Sequence, residues 1–81
     1  MREAMKKCRE AMAAKLRADV IRKGGNMTRT QANAVIAGLL GVNPASLRNW
    51  EQGRTMPRSD KLLAMARLYD RPVEELLKED R

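Results

Sequence analysis

The sequence predicts an all-α fold, a compact bundle of about five helices. Apolar residues recur at helical spacing in several segments, and glycine and proline separate these segments. The chain contains one Trp, one Tyr and no Phe, so its apolar content comes mainly from Ala, Leu, Met and Val. This composition favours packed helices over a sheet, which is usually rich in β-branched and aromatic residues. Eighty-one residues are enough for one domain with a single core.

The first segment, residues 2–23, predicts a long helix. Its apolar or small residues lie three and four positions apart, at Met5, Cys8, Met12, Leu16 and Val20. Gly24-Gly25 then ends the helix and supplies a turn. We expect the half from about Ala14 onward to pack on the core. Residues 1–13 are expected to form a helical extension, which leaves 14–81 as the main domain.

Two short helices joined by a tight turn are predicted in the middle of the chain. Thr28 and Gln31 form a capping box for the first of them, which runs to about Leu40. Gly41 ends that helix, because glycine enters the left-handed conformation without a Cβ penalty. Asn43-Pro44 begins the second as N-cap and first helical residue. The residues predicted to face inward are Val35, Ile36, Leu39 and Leu40 in the first helix and Leu47 and Trp50 in the second.

Two further helices are predicted towards the end of the chain. Ser59 is expected to cap a helix from Asp60 to Tyr69, whose buried stripe comprises Leu62, Leu63, Ala66 and Tyr69. Pro72 then begins a last helix that runs to about Lys78. Its inward residues are predicted to be Val73, Leu76 and Leu77.

The pair of helices around Gly41 has the form of a helix-turn-helix, which usually places its second helix in the DNA major groove. Outward, the second helix shows Ala45, Ser46, Arg48 and Asn49. Asparagine can bond adenine, arginine can bond guanine, and alanine can touch a thymine methyl. A face that is only solvated would usually carry Glu and Lys, so base reading is favoured here. Two arginines of the basic loop that follows, Arg54 and Arg58, could contact phosphates.

The net charge of +7 is unevenly distributed. Residues 1–29 hold nine Lys/Arg and three Asp/Glu, whereas residues 30–81 hold eight and seven. A polarised positive charge suits nucleic acid. The single cysteine, Cys8, cannot form an internal disulfide, so a reducing cytoplasm is expected, with an intermolecular disulfide as the alternative. No apolar run is long enough to span a membrane, and the N-terminus is too charged for a secretory signal.

From Gly41-Val42 through Leu77 the chain resembles the lambda-repressor-like (Cro/CI, Xre-type) helix-turn-helix family. The segment Asn49-Trp50-Glu51-Gln52-Gly53-Arg54, followed by Pro57, is similar to the segment after that family's recognition helix. The resemblance covers roughly residues 14–77 and is tightest from Ile36 onward. It implies a bundle of about five helices, dimeric operator binding and no catalysis.

Carried over by position, the resemblance implies base reading by Pro44, Ala45, Arg48 and Asn49, and a backbone contact by Arg54. Asn33 lies where the family usually has a glutamine that contacts a phosphate or a base. The family's Thr-Gln pair lies two residues closer to the turn than Thr30-Gln31 does here, so either Asn33 or Gln31 is expected to touch DNA. The resemblance also implies that Glu51 pairs with an arginine of the first helix, with Arg17 and Arg22 as candidates.

The sequence therefore predicts a homodimeric transcriptional repressor that binds an inverted-repeat operator in double-stranded DNA. Among relatives of this kind it is most similar to small operon autorepressors of mobile elements, including antitoxin-like proteins. The alternative is a protein-interaction module, an antitoxin or adaptor that binds a partner such as a toxin through residues 1–15. For residues 1–13, a dimer or partner contact is favoured over a basic arm on phosphates and over a frayed tail.

Catalysis and metal binding are not predicted. The chain has no histidine, and one cysteine cannot build a cysteine-based metal site or a Cys-His pair. We therefore expect no metal and no cofactor. Binding of the first helix to a membrane surface is not expected either, since residues 1–15 offer only Met, Cys and Ala as apolar residues.

Overall fold

The structure is a computed structural model, and it describes residues 1–79 of the chain. This part of the chain forms five α-helices and no strand: α1 (Glu3–Arg22), α2 (Arg29–Leu40), α3 (Pro44–Glu51), α4 (Ser59–Tyr69) and α5 (Val73–Leu76). The long α1 packs mainly along α2, and it also touches α3, α4 and α5. The predicted all-α class and the number of helices are confirmed.

A single core receives apolar side chains from all five helices. Its buried members are Met5, Ala13, Ala32, Ile36, Ala37, Leu40, Leu47, Trp50, Met65, Tyr69 and Leu76. Among them, Met5, Ile36, Met65 and Leu76 are the largest fully buried side chains. Burying a side chain of this size stabilises the fold by about 1.5–3 kcal/mol. These four residues come from α1, α2, α4 and α5, so those helices enclose the centre of the core.

The first thirteen residues belong to this core and do not form a projecting extension. The helix α1 continues through residue 13 without a break, and its residue Met5 is completely buried. Arg2, just before the helix, is only 3% exposed. At the other end of α1, Ile21 is exposed. The helix α1 therefore contributes buried residues on the N-terminal side of residue 13, because the stripe that includes Met5 finds a packing surface within the described residues.

The inward faces of α2 and α4 differ from the prediction. In α2, Ile36 and Leu40 are buried, but Val35 is 40% exposed and Leu39 is 62% exposed. The other two buried residues of α2 are small, namely Ala32 and Ala37. Small side chains there allow neighbouring helix backbones to approach closely. Two apolar stripes run along α2, and packing buries the one that carries the alanines.

In α4, the predicted core residue Leu63 is 52% exposed, whereas Met65 is completely buried. Tyr69 is buried as expected, and Leu62 and Ala66 are partly buried against the core. Met65 lies four positions before Tyr69, so both residues face the same side of the helix. The inward side of α4 is therefore rotated relative to the predicted stripe.

Most helix ends follow the predicted local chemistry. The backbone N–H of Gln31 donates to Thr28 Oγ1 at 3.1 Å, and the Thr28 N–H donates to Gln31 Oε1 at 2.9 Å. Gly41 has a φ of +69° at the end of α2. The Ala45 N–H donates to Asn43 Oδ1 at 2.8 Å at the start of α3. These three ends confirm the capping box, the glycine C-cap and the asparagine N-cap.

The ends of α4 and α5 depart from the prediction. The N-cap of α4 is Arg58, whose side chain makes no capping hydrogen bond, and Ser59 is the first helical residue instead of the cap. The helix α5 spans only Val73–Leu76 and ends before Lys78. One turn is sufficient there to place Leu76 in the core.

Candidate nucleic-acid interface

The helix α3 has one buried face and one open face. Leu47, Trp50 and Glu51 are buried, as the sequence predicts for the first two. Residues on the opposite face are separated by three, four and seven positions and therefore lie side by side. This outward face comprises Ala45, Arg48, Asn49 and Gln52. The open face of α3 therefore presents one small side chain together with three side chains that can form hydrogen bonds.

The predicted base-reading residues differ in exposure. Pro44, Ala45 and Arg48 are exposed, whereas Ser46 and Asn49 are half-buried. Gln52, at the C-cap of α3, is also exposed on the outward face and was not among the predicted residues. Its position seven residues after Ala45, two helical turns on, is the signal that could have identified it.

Two contacts fix the turn between α2 and α3. The Val42 N–H donates to the Ala37 carbonyl oxygen at 2.9 Å. Lys61, from α4, donates its Nζ to the Leu40 carbonyl oxygen at 2.9 Å. That carbonyl lies at the C-terminus of α2, where a cation is favourable for the helix dipole. The angle between the two motif helices therefore depends on α4 as well as on the turn itself.

A buried ion pair ties α3 to the first helix. Arg9 donates from Nε to Glu51 Oε2 at 2.7 Å and from Nη2 to Glu51 Oε1 at 3.0 Å. Its third nitrogen, Nη1, donates to Asn33 Oδ1 at 2.9 Å. The hydrogen bond to Glu51 raises the pKa of Arg9, and this effect exceeds the opposing effect of burial. One side chain of α1 therefore holds both helices of the motif.

The expected partners of Glu51 are corrected by this geometry. A first-helix arginine does pair with Glu51, but it is Arg9, not Arg17 or Arg22. Arg17 instead donates from Nε to the Met27 carbonyl oxygen at 3.1 Å, and Arg22 pairs with Asp19. The N-terminal half of α1 packs on the domain, as the burial of Met5 shows, so the arginine that reaches Glu51 lies nearer the N-terminus of the helix.

Arg2 joins the end of α3 to the loop that follows it. Its backbone N–H donates to the Glu51 carbonyl oxygen at 2.7 Å. Its guanidinium Nη1 donates to the carbonyl oxygens of Trp50 at 2.6 Å and of Thr55 at 2.8 Å. These acceptors include carbonyl groups that a helix C-terminus leaves without partners. Sequence reasoning missed Arg2, because its partners lie about fifty positions away.

A model described as a helix-turn-helix domain matches residues 1–78. The chain belongs to this helix-turn-helix family. The family contains Xre/Cro-like DNA-binding domains, and the regulator family that the sequence resembled is thereby confirmed. No curated protein and no solved structure matches the chain.

The match of the helix-turn-helix model begins at residue 1, which agrees with the burial of Arg2 and Met5 in the domain. Within residues 1–79, no helix combines the length and apolarity that crossing a membrane requires.

Gln31 and Asn33, the two residues near the start of α2 that are candidates for a DNA contact, have different surroundings. The side-chain carbonyl of Gln31 accepts the Thr28 N–H in the capping box. Asn33 uses its carbonyl oxygen to accept from Arg9, which can only donate. The Asn33 Nδ2 group is therefore a donor, and it adjoins the ion pair that holds α3.

The loop after α3 carries the two arginines predicted to contact the DNA backbone. Arg54 and Arg58 are both exposed. The Arg54 N–H donates to the Asn49 carbonyl oxygen at 2.9 Å, so the start of the loop is fixed to the helix. Pro57, between the two arginines, is buried and anchors the loop on the domain.

Proposed function

We propose that this protein is a transcriptional repressor that binds, as a homodimer, an inverted-repeat operator in double-stranded DNA. The observation that carries the proposal is the outward face of α3. It combines Ala45, Arg48 and Asn49 on a helix whose orientation is held by α1, through Arg9, and by α4, through Lys61. A helix that is fixed in this way can present its side chains to base edges in a constant register.

Each contact in the proposed complex has a distinct role. Bidentate donation from Arg48 fits the O6 and N7 acceptors of guanine, and the Asn49 amide fits the N6 and N7 groups of adenine. Ala45 is small and can touch a thymine methyl. Two residues complete the base-reading set at the first turn of α3, namely Pro44 and Ser46.

Backbone contacts would fix the register of α3 on the duplex. Arg54 and Arg58 follow α3 and are exposed. At the start of α2, Gln31 and Asn33 each use only the carbonyl oxygen within the domain and keep an amide donor. We assign the phosphate contact to Asn33, because Arg9 holds its side chain beside the ion pair with Glu51 at the end of α3. Such contacts supply affinity without sequence information.

Dimerisation follows from the need to read an inverted repeat. Two copies related by a two-fold axis would place their α3 helices in successive major grooves, roughly 34 Å apart. We propose that the operator lies in the promoter of the protein's own operon, as in the mobile-element and antitoxin-like autorepressors that the sequence resembles.

Selection from random duplexes tests this proposal. The protein is incubated with a randomised duplex library at low and at moderate salt, and bound sequences are amplified over several rounds. We expect an inverted repeat with half-sites about one helical turn apart. A competition assay would then compare the selected site with shuffled DNA. If no sequence is enriched and the upstream region of the gene gives no gel shift at low salt, the repressor proposal fails.

One observation favours a second function, binding of a protein partner through the first helix. An open groove of about 930 Å³ runs between α1 and the end of the domain. Its floor includes Cys8, Met12 and Tyr69, and its rim carries charges of both signs, among them Lys7 and Glu75. Met12→Glu should abolish binding of a co-encoded partner while leaving DNA affinity unchanged, if the groove has this role.

A further inference from the structure

The outer side of α2 exposes apolar side chains and no charge. Val35 and Leu39 lie four positions apart and therefore project from the same side of the helix, with Gly38 exposed between them. Six large apolar side chains are exposed within residues 1–79, and Val35 and Leu39 are the only two that share a helix. Apolar residues scattered singly are ordinary on a surface, whereas neighbours on one face form a patch that can pack on a partner. We call Val35, Gly38 and Leu39 the α2 face.

The α2 face lies in the longest uncharged stretch of the chain. Residues 30–47 contain no Asp, Glu, Lys or Arg, although 33% of all residues are charged. The one charge on α2 is Arg29 at its first position, roughly 9 Å along the helix axis from Val35 at 1.5 Å per residue. At the other end of α2, the ammonium of Lys61 is engaged with the Leu40 carbonyl oxygen at 2.9 Å. An ionic partner would therefore find no counter-charge on the α2 face itself.

The net charge of the chain favours a second copy as the occupant of this face. Two copies repel each other, because each carries a net charge of +7. The repulsion is weakest where the facing surfaces are uncharged and the cations of each copy stay apart. An acidic protein, which the net charge attracts, would instead be drawn to residues 1–29, where nine of the 17 cations lie. The α2 face is therefore suited to contact between like chains.

The shape of the α2 face is complementary to itself. Leu39 is the most exposed large apolar side chain of the described residues, whereas Gly38 beside it has no side chain and has open space around its Cβ position. If two α2 helices pack antiparallel about a two-fold axis between positions 38 and 39, each Leu39 lies opposite the Gly38 of the other copy. Such a contact is made twice by the same residues. The gap at Gly38 allows the two helices to pack closely, with a side chain of one in a groove of the other.

We propose that two copies of this protein associate through the α2 face, with their α2 helices antiparallel about a two-fold axis. The proposal rests on the proposed function, which requires a homodimer, and it identifies the surface of that homodimer. Stable interfaces bury roughly 1,200–2,000 Å² in total, and a contact centred on three residues of each copy is smaller. The free protein therefore dimerises weakly, and adjacent half-sites on DNA strengthen the association by holding two copies close together.

The variant Leu39→Lys tests the proposal against the matched control Leu63→Lys. Both leucines are exposed on a helix, in α2 and α4, so neither substitution disturbs the core. Lysine in the last turn of α2 is also favourable for the helix dipole. Sedimentation equilibrium of the full chain without DNA would cover protein concentrations from roughly 1 μM to 1 mM, a range that includes weak association. Thermal unfolding of each variant confirms that it is folded.

We expect the wild type and Leu63→Lys to share one monomer–dimer equilibrium and Leu39→Lys to stay monomeric over this range. Raising the NaCl concentration should strengthen dimerisation of the wild type, because salt screens the repulsion between the chains and the contact has no ion pair to weaken. The proposal is overturned if the wild type stays monomeric throughout, or if Leu39→Lys dimerises as the wild type does. Dimerisation that weakens with salt would also overturn it, since that result indicates an ionic contact.

A second variant, Gly38→Gln, distinguishes the contact between copies from the stability of the helix. Glutamine is a better helix former than glycine, so this variant should unfold at a higher temperature than the wild type. Its side chain fills the gap opposite Leu39 of the other copy, so dimerisation should weaken by about tenfold or more, as overpacking of a close contact does. A Gly38→Gln variant that dimerises as tightly as the wild type would contradict the pairing of Gly38 with Leu39 and overturn the proposal.

The same measurements separate this proposal from the proposed function. If Leu39→Lys abolishes dimerisation of the free protein but no DNA sequence is enriched by the wild type, the α2 face is sustained and the repressor is refuted. If an inverted repeat is enriched while Leu39→Lys still dimerises, the repressor is sustained and the α2 face is refuted. A wild type that is monomeric alone but binds a co-encoded protein through Leu39 would overturn the assignment of a second copy to this face.

Discussion

The guanidinium of Arg9 and the carboxylate of Glu51 form a two-point ion pair that crosses 42 positions of the sequence. Their side chains are 16% and 6% exposed, so the pair is largely shielded from water. It connects the first half of α1 to the last residue of α3, and Arg9 also holds Asn33 in α2. The orientation of α3 thus depends on a residue near the start of the chain.

Removing Arg9 should destabilise the fold strongly. Arg9→Ala leaves the Glu51 carboxylate buried without its cation, which costs about 3–5 kcal/mol when the pair is well shielded. Urea unfolding at neutral pH measures the change. Arg22→Ala, which breaks an exposed pair with Asp19, is the control and should cost no more than about 1 kcal/mol. Equal losses from the two variants would contradict a structural role for the Arg9–Glu51 pair.

Replacing Tyr69 by phenylalanine should not weaken the fold at neutral pH. The Tyr69 Oη atom is buried and has no hydrogen-bond partner among the described residues. An unsatisfied buried polar group costs about 1–3 kcal/mol, and phenylalanine removes that cost while keeping the ring. Urea unfolding at pH 7 should therefore show Tyr69→Phe to be at least as stable as the wild type. A loss of more than about 1 kcal/mol would indicate that Tyr69 Oη makes a hydrogen bond that phenylalanine cannot replace.

The same tyrosine should make stability fall at alkaline pH. Burial is the largest cause that raises the pKa of Tyr69 above its ordinary value of 10.0, and the nearby Glu51 carboxylate adds to the effect. Above about pH 10 the unfolded chain loses this proton while the folded protein keeps it, so the free energy of unfolding decreases as pH rises. The difference in stability between wild type and Tyr69→Phe should therefore shift in favour of phenylalanine between pH 9 and about 11. A pH-independent difference would show that Tyr69 titrates alike in both states.

Gly38, inside α2, and Gly41, the C-cap that follows α2, should respond oppositely to replacement by alanine. Gly41 has a φ of +69°, and a Cβ there would lie 3.1 Å from Lys61 Nζ, the atom that bonds the Leu40 carbonyl. Gly41→Ala should therefore destabilise the fold by about 1–2 kcal/mol, the cost of the left-handed conformation. Gly38 lies inside the helix with open space around its Cβ position, so Gly38→Ala should stabilise by about 0.5–1 kcal/mol. Thermal unfolding of both variants measures these stability changes. Melting temperatures that shift in the same direction would refute the prediction.

Replacing Arg2 should loosen the loop that follows α3. Arg2→Ala removes the donors that hold the Trp50 and Thr55 carbonyl oxygens, and a hydrogen bond to a charged group contributes about 1.5–3 kcal/mol. Hydrogen exchange should accelerate at the backbone amides of Arg54 and Thr55, which bond to the Asn49 carbonyl oxygen. Arg71→Ala, at an exposed pair with Glu75, is the control. Unchanged exchange in the loop would mean that Arg2 contributes packing only.

Substitutions at the proposed base-reading residues and at the proposed backbone-contacting residues should have different effects on DNA affinity and on sequence preference. Arg48→Ala or Asn49→Ala should cost about 1–3 kcal/mol on the selected operator and relax the preference at one base pair per half-site. Arg54→Ala should weaken binding to all sequences alike and reduce the salt slope by about 1. Competition with operators altered at single base pairs measures both effects. Loss of sequence preference in Arg54→Ala, or its retention in both α3 variants, would reverse the assignment.

Where a feature depends on nearest neighbours, the sequence was enough to predict it. The capping box of Thr28 and Gln31, the left-handed Gly41 and the asparagine cap at Asn43 each involve atoms within three positions, so the residue types alone specify the geometry. Three residues of the outward set on α3, Ala45, Arg48 and Asn49, were also predictable, because Leu47 and Trp50 leave one face open. These signals together identified the helix-turn-helix.

Tertiary packing decided which face of each helix is buried. It also decided which polar side chains pair across long distances in the sequence. Val35 and Ile36 are equally apolar neighbours, and only the close approach of other helices selects the face that is buried. Arg9 and Arg17 both lie on α1, but a shift along its axis decides which of them reaches Glu51. Local chemistry therefore determined the capped ends of α2 and α3. The packed fold decided which side faces inward and which arginine holds α3, since those contacts join residues that are distant in sequence.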